Sequence, residues 1–519
     1  MGAEPFYVTT PIYYVNDVPH IGHAYTTLAC DVLARFMRLD GRNVMFLTGT
    51  DEHGQKVEKA AEEQGITPQE LADLNSAKFR ELATKMGYSN DDYIRTTEER
   101  HVKALTHLWH ILREQDEIYL GTYSGWYSVR DEAYFSESEL IKGEGGKFIA
   151  PTGTGAEVEW VEEPSYFFRL SNWQDRLLDF YDQNPDFIAP ESRRNEVISF
   201  VKGGLLDLSV SRTSFKWGVG VPDDPEHVMY VWLDALTNYL TAVGYPDTES
   251  NIYKTYWPAN LHMVGKDILR FHAVYWPAFL LAAGIEPPKR IFAHGWWTNE
   301  GEKISKSLGN VIDPYALVNE YGLDQVRYFL LREVPFGNDG DFSRTAMVQR
   351  INGDLANGIG NLAQRTLTLI QKNCGGKIPD REEFLEDDND LRLACGSELL
   401  VKIRQELAQE RFHIALQEFM ASVSLADSYI TANEPWALKN SDPNRMSTIL
   451  YTLAEAIRTL AILAQPFIPD SASRLLNQLA VPENARTFGE IDGDWSLTPG
   501  IGLPKPEGIF PRHLQEQGN

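Results

Sequence analysis

The stretch that decides the fold is "VPHIGHAYTT", residues 18–27, which sets His20 and His23 on either side of Ile-Gly where an amphipathic helix is predicted to begin. The preceding run "PFYVTTPIYYV", residues 5–15, is rich in β-branched and aromatic residues, which is typical of a buried strand. The predicted helix ends near Asp40-Gly41, and "NVMFLTG" follows as the next strand. This order of strand, helix and strand predicts a doubly wound α/β sheet, in which ligands gather at the carboxyl ends of the strands.

The composition is that of an ordinary globular protein. The chain has 519 residues, of which 43% are hydrophobic and 24% charged, so several domains are expected. The formal net charge of −26 argues against a generally basic nucleic-acid binder, although local clusters of Arg and Lys remain open as either an RNA-binding track or solvated charges. Three widely spaced cysteines, Cys30, Cys374 and Cys395, predict no disulfide framework and suit a reducing cytoplasm.

No segment predicts secretion or membrane insertion. The N-terminus lacks a basic leader with a small-residue cleavage site, and no apolar run reaches the ~20 residues that span a bilayer. The best candidate, "AVYWPAFLLAAGI" at residues 273–285, is expected to be a buried helix. We therefore expect a cytoplasmic protein with no membrane partner.

The chain is predicted to have four segments. Residues 1–116 form the first half of a Rossmann-type parallel sheet, and residues 117–225, with short strands and Gly-rich turns, form an inserted domain. Residues 226–350 complete the sheet. Residues 351–519 form an all-α bundle of long periodic helices. The predicted fold class is therefore α/β, with a doubly wound sheet split by an insertion and followed by a helical bundle.

Two short motifs carry groups suited to binding phosphate. Backbone N–H groups at a helix start form an anion site, Gly22 permits close approach of a ligand, and His20 and His23 can donate hydrogen bonds there. The alternative is that both histidines merely cap the helix. The second motif, "GEKISKSLGN" at residues 301–310, places Lys303 and Lys306 in a Ser/Gly-rich loop, for which the alternative is a solvated loop. Because each motif falls at the expected end of an α/β half, their joint presence favours phosphate binding.

With "HIGH" at residues 20–23 and "KISKS" at 303–307, the chain resembles the class I aminoacyl-tRNA synthetases, although Ile304 replaces the methionine of their Lys-Met-Ser-Lys-Ser loop. The resemblance is closest to the methionyl-tRNA synthetase family and extends over nearly the whole chain. It also rests on "PIYYVND", "TGTDEHG", "YVWLDAL", "VGKDILRFHAVYWPA" and "NEPWAL". It implies that L-methionine and ATP give methionyl-adenylate and pyrophosphate, and that the 3′-terminal adenosine of tRNA(Met) then accepts the methionine.

The resemblance implies roles for individual residues. His20, His23, Lys303 and Lys306 would act in catalysis, and these four with Gly22 and Asp267 would bind ATP and its Mg²⁺. Methionine would be bound by Ile12, Tyr14, Asp51, Trp232, Ala235, Tyr239, Ile268, His272 and Trp276, with Asp51 on the ammonium group. Asn361, Arg365 and Trp436 would read the CAU anticodon. Leu236 stands where some members have proline, so the pocket shape is expected to differ there.

The chain departs from many family members in its insertion. Where a Cys-x-x-Cys zinc knuckle would stand it has Ser128 and Asp131, and residues 117–225 contain no cysteine. Because structural zinc needs about four nitrogen or sulfur ligands, we expect no zinc. The insertion is expected to be held by packing of the aromatic side chains Trp126, Tyr134, Trp160 and Tyr166.

Segment lengths set two further expectations. The insertion of about 110 residues is too short for the hydrolytic editing domain of the leucyl, isoleucyl and valyl enzymes. The chain ends at Asn519, soon after the helical bundle, without the C-terminal dimerising module of some relatives, so a monomer is expected.

Two alternatives to methionine ligation stay open at this point. One is a non-catalytic paralogue that keeps the fold and binds RNA, against which the intact His20, His23, Lys303 and Lys306 speak. The other is a class I enzyme that charges a different amino acid. A panel of amino acids separates that enzyme from one specific for methionine.

Overall fold

The computed structural model describes residues 3–15, 18–128, 133–135, 137–143, 146–151, 155–299, 302–303, 312–493 and 496–513. The chain divides into two compact units. The sheet unit consists of Pro5–Pro19 and Val44–His294, and the helical unit of Met1–Glu4, His20–Asn43 and Gly295–Asn519.

The strands are β1 Pro5–Thr9, β2 Tyr13–Tyr14, β3 Asn43–Asp51, β4 Asp92–Arg95, β5 Ile118–Ser128, β6 Ala133–Phe135, β7 Ile141–Lys142, β8 Phe148–Ile149, β9 Glu159–Phe168, β10 Ile188–Ala189, β11 Leu208–Ser209, β12 Ser211–Arg212, β13 Gly220–Val221, β14 Asp224–Met229, β15 Leu261–Gly265, β16 Ile291–His294, β17 Trp297–Asn299, β18 Glu302–Lys303 and β19 Gly340–Phe342. The α-helices are α1 Ile21–Leu39, α2 Gln55–Gln64, α3 Pro68–Lys85, α4 Glu99–Glu114, α5 Gln174–Gln183, α6 Glu191–Lys202, α7 Val231–Thr241, α8 Asn251–Tyr256, α9 Trp276–Ala282, α10 Pro314–Tyr321, α11 Leu323–Arg332, α12 Arg344–Arg350, α13 Gly360–Asn373, α14 Glu386–Cys395, α15 Ser397–Leu407, α16 Phe412–Asn433, α17 Pro443–Ala464 and α18 Pro469–Gln478.

A parallel sheet forms the core of the sheet unit. Strands β10, β16, β15, β1 and β3 lie side by side in this order, and β2 and β4 both pair with β3. The prediction of one strand over residues 5–15 is wrong in detail, because β1 ends at Thr9 and the strand resumes only at Tyr13. Pro11 lies in the gap, where its ring lacks the N–H that a sheet ladder requires. The interruption places Tyr14 opposite Asp51 at the end of β3.

The insertion is built on the long antiparallel pair β5–β9, whose register runs from Ile118 opposite Phe168 to Tyr127 opposite Glu159. The predicted packing is confirmed for Trp126, which meets Trp160 edge-on with ring centroids 5.5 Å apart. Trp160 is nevertheless 56% exposed. Tyr166 packs as well, but in the main core of the sheet unit, and the side chain of Tyr134 lies outside the described residues. A small core of Phe135, Ala150, Ala156 and Val158 lies beneath Trp126 and Phe148.

The helical unit begins with the predicted helix α1, whose residues at helical spacing are buried, and ends in a bundle of helices. The periodic stretch over residues 391–430 is not continuous, since it breaks after Cys395 and again before Phe412. Gly396 (φ −113°, ψ −109°) and Glu410 (φ 52°) take up the non-helical backbone at these breaks.

Among the described residues, one helix is long and apolar enough to cross a membrane by length and composition, namely α17. The choice of residues 273–285 as the best candidate for a membrane span is therefore wrong, because the helix there is shorter. In α17, 94% of the most apolar window is buried inside the protein, as in the core helix of a soluble protein. The run at 273–285 contains α9, which is buried as predicted.

A buried ion pair ties α1 to the bundle. Arg327 of α11 lies 2.7 Å from Asp31 of α1, and both side chains are fully buried. The same guanidinium donates hydrogen bonds to the carbonyl oxygens of Phe467, at 3.1 Å, and Pro466, at 2.9 Å, just before α18. One side chain thus joins three elements that are far apart in sequence.

Replacing Arg327 with alanine should lower the free energy of unfolding of the helical unit by about 3 to 5 kcal/mol, because it removes a buried cation from Asp31 and a donor from two carbonyl groups. The control is Arg404→Ala, which removes a half-exposed pair with Asp40 at the end of α1 and should cost about 1 kcal/mol or less. Urea unfolding followed by circular dichroism measures both changes. Equal, small shifts for the two variants would contradict the prediction.

Candidate active site

The histidines of the "HIGH" motif form a reciprocal cap at the start of α1. The Gly22 backbone N–H donates to Nδ1 of His20 at 3.1 Å, and the His20 backbone N–H donates to Nδ1 of His23 at 3.2 Å. The ring centroids of His20 and His23 are 3.8 Å apart. The alternative that both residues cap the helix is therefore correct, and the cap uses the Nδ1 atom of each ring. A nitrogen that accepts a hydrogen bond carries no proton, so in the neutral rings Nε2 carries it and can act as a donor.

The charge state of this cap follows from its surroundings. Burial and the neighbouring His20 lower the pKa of His23 well below its usual value, so the His23 ring is neutral at pH 7. A Cβ atom on Gly22 would lie 2.9 Å from Cε1 of His20, so glycine leaves room for the capping ring as well as for a ligand. The start of α1 therefore offers neutral imidazoles together with the partial positive charge of a helix N-terminus.

The second phosphate motif is described only in part. Lys303 is the last residue of β18, and its backbone pairs with Thr298 of β17. The side chain of Lys303 and the whole of Ile304 and Lys306 lie outside the described residues.

The sheet unit brings the predicted methionine residues of α7 and of the segment after β15 into one aromatic cluster. The Tyr239 hydroxyl and His272 Nε2 are 2.7 Å apart, and His272 Nδ1 is 2.9 Å from the carbonyl oxygen of Ile268. The ring of Tyr239 lies 6.1 Å from that of Trp276, and the ring of Trp232 lies 6.5 Å from that of His272. Because the carbonyl can only accept, Nδ1 of His272 carries the proton and Nε2 accepts from Tyr239.

The remaining predicted methionine residues also belong to the sheet unit, where Tyr14 packs against a separate small cluster around Val57. Ile12, Trp232 and Ile268 are partly buried against the main core of this unit, and Ala235 is buried one helical turn from Trp232. Tyr14 pairs with Asp51, whose side chain is buried at the end of β3.

Asp267, predicted to bind ATP, is exposed just after β15. Its carboxylate lies over Gly265, where a Cβ atom would approach Oδ1 to 2.6 Å. Gly265 therefore leaves room for this carboxylate at the end of the strand.

Sequence reasoning missed Phe271 and His262. Phe271 stacks on Trp232 with ring centroids 3.6 Å apart, and His262 stacks on Tyr239 at 4.0 Å. Phe271 begins a π-helical turn, Phe271–Tyr275, whose wider spacing shifts side chains relative to a regular α-helix. A search at the α-helical period could not place it, and His262 gave no signal beyond its position inside a buried strand.

Burial holds the aromatic cluster neutral. It lowers the pKa of His272 to about 4, although the carbonyl of Ile268 and the charge of Asp267 act in the opposite direction. The pKa of His262 is also lowered well below its usual value, by burial and by His272. At pH 7 the cluster therefore presents rings, a hydroxyl and neutral imidazoles.

The residues predicted to read an anticodon lie on the helical unit. Asn361 and Arg365 are one turn apart on α13, and Arg365 is 2.6 Å from Asp427 of α16. Trp436 follows α16 and is 44% exposed. Arg365 is partly accessible while held in this ion pair, so the alternative of a solvated helix face stays open.

Comparison with known proteins decides the family. The profile described as tRNA synthetases class I (M) matches residues 6–367, and that of the anticodon binding domain of methionyl tRNA ligase matches residues 375–518. The chain belongs to the methionyl-tRNA synthetase family of class I. A methionine–tRNA ligase of Mesorhizobium japonicum is 58% identical over 100% of this chain and 99% of its own length. A methionine–tRNA ligase of Rickettsia felis is 57% identical over 98% of this chain and 98% of its own length.

Solved structures of the family show the same architecture. Mycobacterium tuberculosis methionyl-tRNA synthetase in complex with methionyl-adenylate has a TM-score of 0.95 and 52% identity, over 98% of this chain and 100% of that one. Its apo form has a TM-score of 0.89 at 50% identity, over 99% of both chains. The predicted family and fold class, a Rossmann-type sheet followed by a helical region, are confirmed.

The depressed pKa of His272 predicts an acid-sensitive sheet unit. Between pH 6.5 and about 4 the unfolded chain binds a proton at this ring that the folded protein does not, so stability falls with decreasing pH in this window, by up to about 3 kcal/mol from His272. His272→Asn keeps a donor for the Ile268 carbonyl but does not titrate. The urea concentration at the unfolding midpoint of this variant should therefore fall less steeply between pH 6.5 and 4.5 than that of the wild type. Equal pH dependence of the two midpoints would contradict the low pKa of His272.

Proposed function

We propose that this protein ligates L-methionine to tRNA(Met) through a methionyl-adenylate. The observation that carries the proposal is the neutral aromatic cluster of Trp232, Tyr239, His272 and Trp276. A thioether is polarisable and unbranched, and ring edges with a single polar anchor suit it better than a charged or strongly polar pocket. The names and lengths of the relatives support the same function.

The first step needs positioning more than covalent catalysis. The methionine carboxylate attacks the α-phosphorus of ATP, a carboxyl-oxygen–phosphorus bond forms, and the bond to pyrophosphate breaks. Asp51 pairs with the substrate ammonium, and Asp267 orients the ribose. No enzyme nucleophile takes part, so the rate depends on alignment and on stabilising charge at the phosphate oxygens.

The phosphate residues divide this work. His20 and His23 donate from Nε2 to the triphosphate at the start of α1, while Lys303 and Lys306 stabilise charge on the leaving pyrophosphate. Mg²⁺ would be held chiefly by the phosphate oxygens of ATP. That cation would supply further charge stabilisation on the phosphate oxygens.

In the second step the terminal adenosine hydroxyl of tRNA attacks the carbonyl carbon of the adenylate, and AMP leaves. Trp436 stacks on an unpaired anticodon base, while Asn361 and Arg365 bond base edges of CAU. We further propose that the protein works as a cytoplasmic monomer with a zinc-free insertion.

Exchange of radiolabelled pyrophosphate into ATP, with each of the twenty amino acids in turn and without tRNA, tests this function. Exchange that depends on methionine alone is expected. Exchange with a different amino acid would keep the chemistry but overturn the pocket. No exchange with any amino acid would overturn the ligase and favour a non-catalytic paralogue.

Gly22→Ala should slow methionine-dependent exchange by roughly 100-fold, the loss typical of one displaced transition-state donor, because the new methyl group pushes the His20 ring out of its cap. Methionine binding, measured by tryptophan fluorescence, should be unchanged. The control is Gly353→Ala, a helical position where a Cβ atom would meet nothing within 4 Å. An unaltered exchange rate in Gly22→Ala would refute the role of the His20 cap.

A further inference from the structure

A buried carboxylate of the sheet unit lies between two histidines. Oδ2 of Asp234 is 2.7 Å from Nδ1 of His53, and Oδ1 is 2.7 Å from Nε2 of His101. The side chains of Asp234 and His101 are fully buried, and His53 is 6% exposed. Burial alone raises the pKa of Asp234, but His53 and His101 together lower it to about 2, so this carboxylate is ionised.

The hydrogen bonds also indicate which ring nitrogens carry protons. An ionised carboxylate only accepts, so both Nδ1 of His53 and Nε2 of His101 carry a proton. Nδ1 of His101 is 3.1 Å from the hydroxyl of Thr241, which itself donates to the carbonyl oxygen of Thr237. Both ring nitrogens of His101 therefore have polar partners, and Nε2 donates to Asp234.

Each partner of Asp234 leads to a different part of the structure. His53 follows Asp51 and Glu52 in the turn after β3. Arg95 fixes this turn through two hydrogen bonds to the Glu52 carboxylate, from Nε at 2.7 Å and from Nη2 at 2.9 Å. His101 belongs to α4 and contacts positions 234 and 241 of α7.

Helix α7 carries Asp234 beside the pocket residues Trp232, Ala235 and Tyr239. The carboxylate thus connects the turn that presents Asp51 to the helix that presents the side-chain pocket.

Stability alone does not explain such a group. A buried ion pair is often no more stabilising than well-packed apolar residues of the same volume, whereas two charge-assisted hydrogen bonds at 2.7 Å define both a distance and an orientation. Methionine must meet the Asp51 carboxylate at one end and the aromatic rings at the other. A fixed spacing between these two features is what its recognition requires.

We propose that Asp234 is a positioning residue for methionine recognition: through His53 it holds the Asp51 turn at a fixed distance from α7, so that the ammonium group and the thioether side chain are bound together. The inference rests on the proposed role of Asp51. It concerns binding, so its signature is a rise in KM for methionine that exceeds any fall in kcat.

The test compares His53→Leu, which removes the donor to Asp234, with His53→Asn, whose amide nitrogen can replace Nδ1. Affinity is measured for L-methionine and for 4-(methylthio)butanoate, which has the same side chain without the amino group. His53→Leu should weaken methionine binding at least 10-fold and leave the desamino analogue within 2-fold, and His53→Asn should restore most of the loss. The exposed His107 on α4 supplies the control His107→Leu, which should change neither affinity.

Three results would overturn the inference. Equal losses for both ligands would indicate a merely structural role, and equal losses in His53→Leu and His53→Asn would show that the hydrogen bond is irrelevant. If Asp51→Asn keeps the wild-type preference for methionine over the desamino analogue, the proposed role of Asp51 fails and the inference with it. Should His53→Leu fail to fold by circular dichroism, Asp234→Asn replaces it, since the amide keeps one acceptor oxygen and loses the other.

Discussion

The constraint on which this structure depends is that a carboxylate inside the protein must be paired. An isolated buried charge costs several kcal/mol, so each acidic side chain in the interior requires a partner in a defined place. Among the described residues, fully buried carboxylates with such partners include Asp31 with Arg327, Glu52 with Arg95, Asp234 with His53 and His101, and Asp388 with Arg445. Each of these contacts lies within one compact unit and joins segments that are remote in sequence. A chain whose units are assembled from separate stretches needs contacts of this kind, because local helix and strand preferences do not define long-range register.

Several interior histidines, unlike these carboxylates, are buried in the neutral form. His23, His262 and His272 have few acidic neighbours and are kept neutral by burial, whereas His101 donates a hydrogen bond to a buried carboxylate. A neutral imidazole has one donor and one acceptor nitrogen, and hydrogen bonds with the backbone determine which nitrogen carries the proton. At the start of α1 backbone N–H groups donate to Nδ1, which leaves the proton on Nε2, whereas at His272 the carbonyl oxygen of Ile268 accepts a hydrogen bond from Nδ1–H. Nε2 is therefore the donor in the proposed phosphate site at the start of α1 and the acceptor for Tyr239 at His272.

Sequence reasoning predicted the parallel sheet, the helix behind the "HIGH" motif and the helical C-terminal region, because these features follow from periodicity and from caps that local residues provide. It also predicted the aromatic cluster, although only through the family resemblance. It failed where local rules give way to tertiary structure. The break at Pro11 was overlooked inside an otherwise continuous β-rich run. Helix α17 was not recognised as apolar because polar residues interrupt it. The stacking of Phe271 on Trp232 was missed because Phe271 begins a π-helical turn. The contacts of Asp31 with Arg327 and of Asp234 with His53 and His101 could not be predicted, since these partners are remote in sequence and Asp31 already has a local partner in Arg35.

The acidic charge of the chain bears on how it handles RNA. A protein with a formal net charge of −26 gains little from the general attraction to phosphate that drives non-specific nucleic-acid binding. Recognition must then come from directed contacts, and the helical unit offers these: an exposed Trp436 for stacking and an Arg365 whose orientation is set by Asp427. Asp427 reduces the attraction of this guanidinium for a phosphate but leaves its remaining N–H groups able to bond a base edge, where direction matters more than net charge. A weak general attraction to the RNA backbone is therefore compatible with the proposed selectivity through Trp436 and Arg365, which depends on contacts to bases.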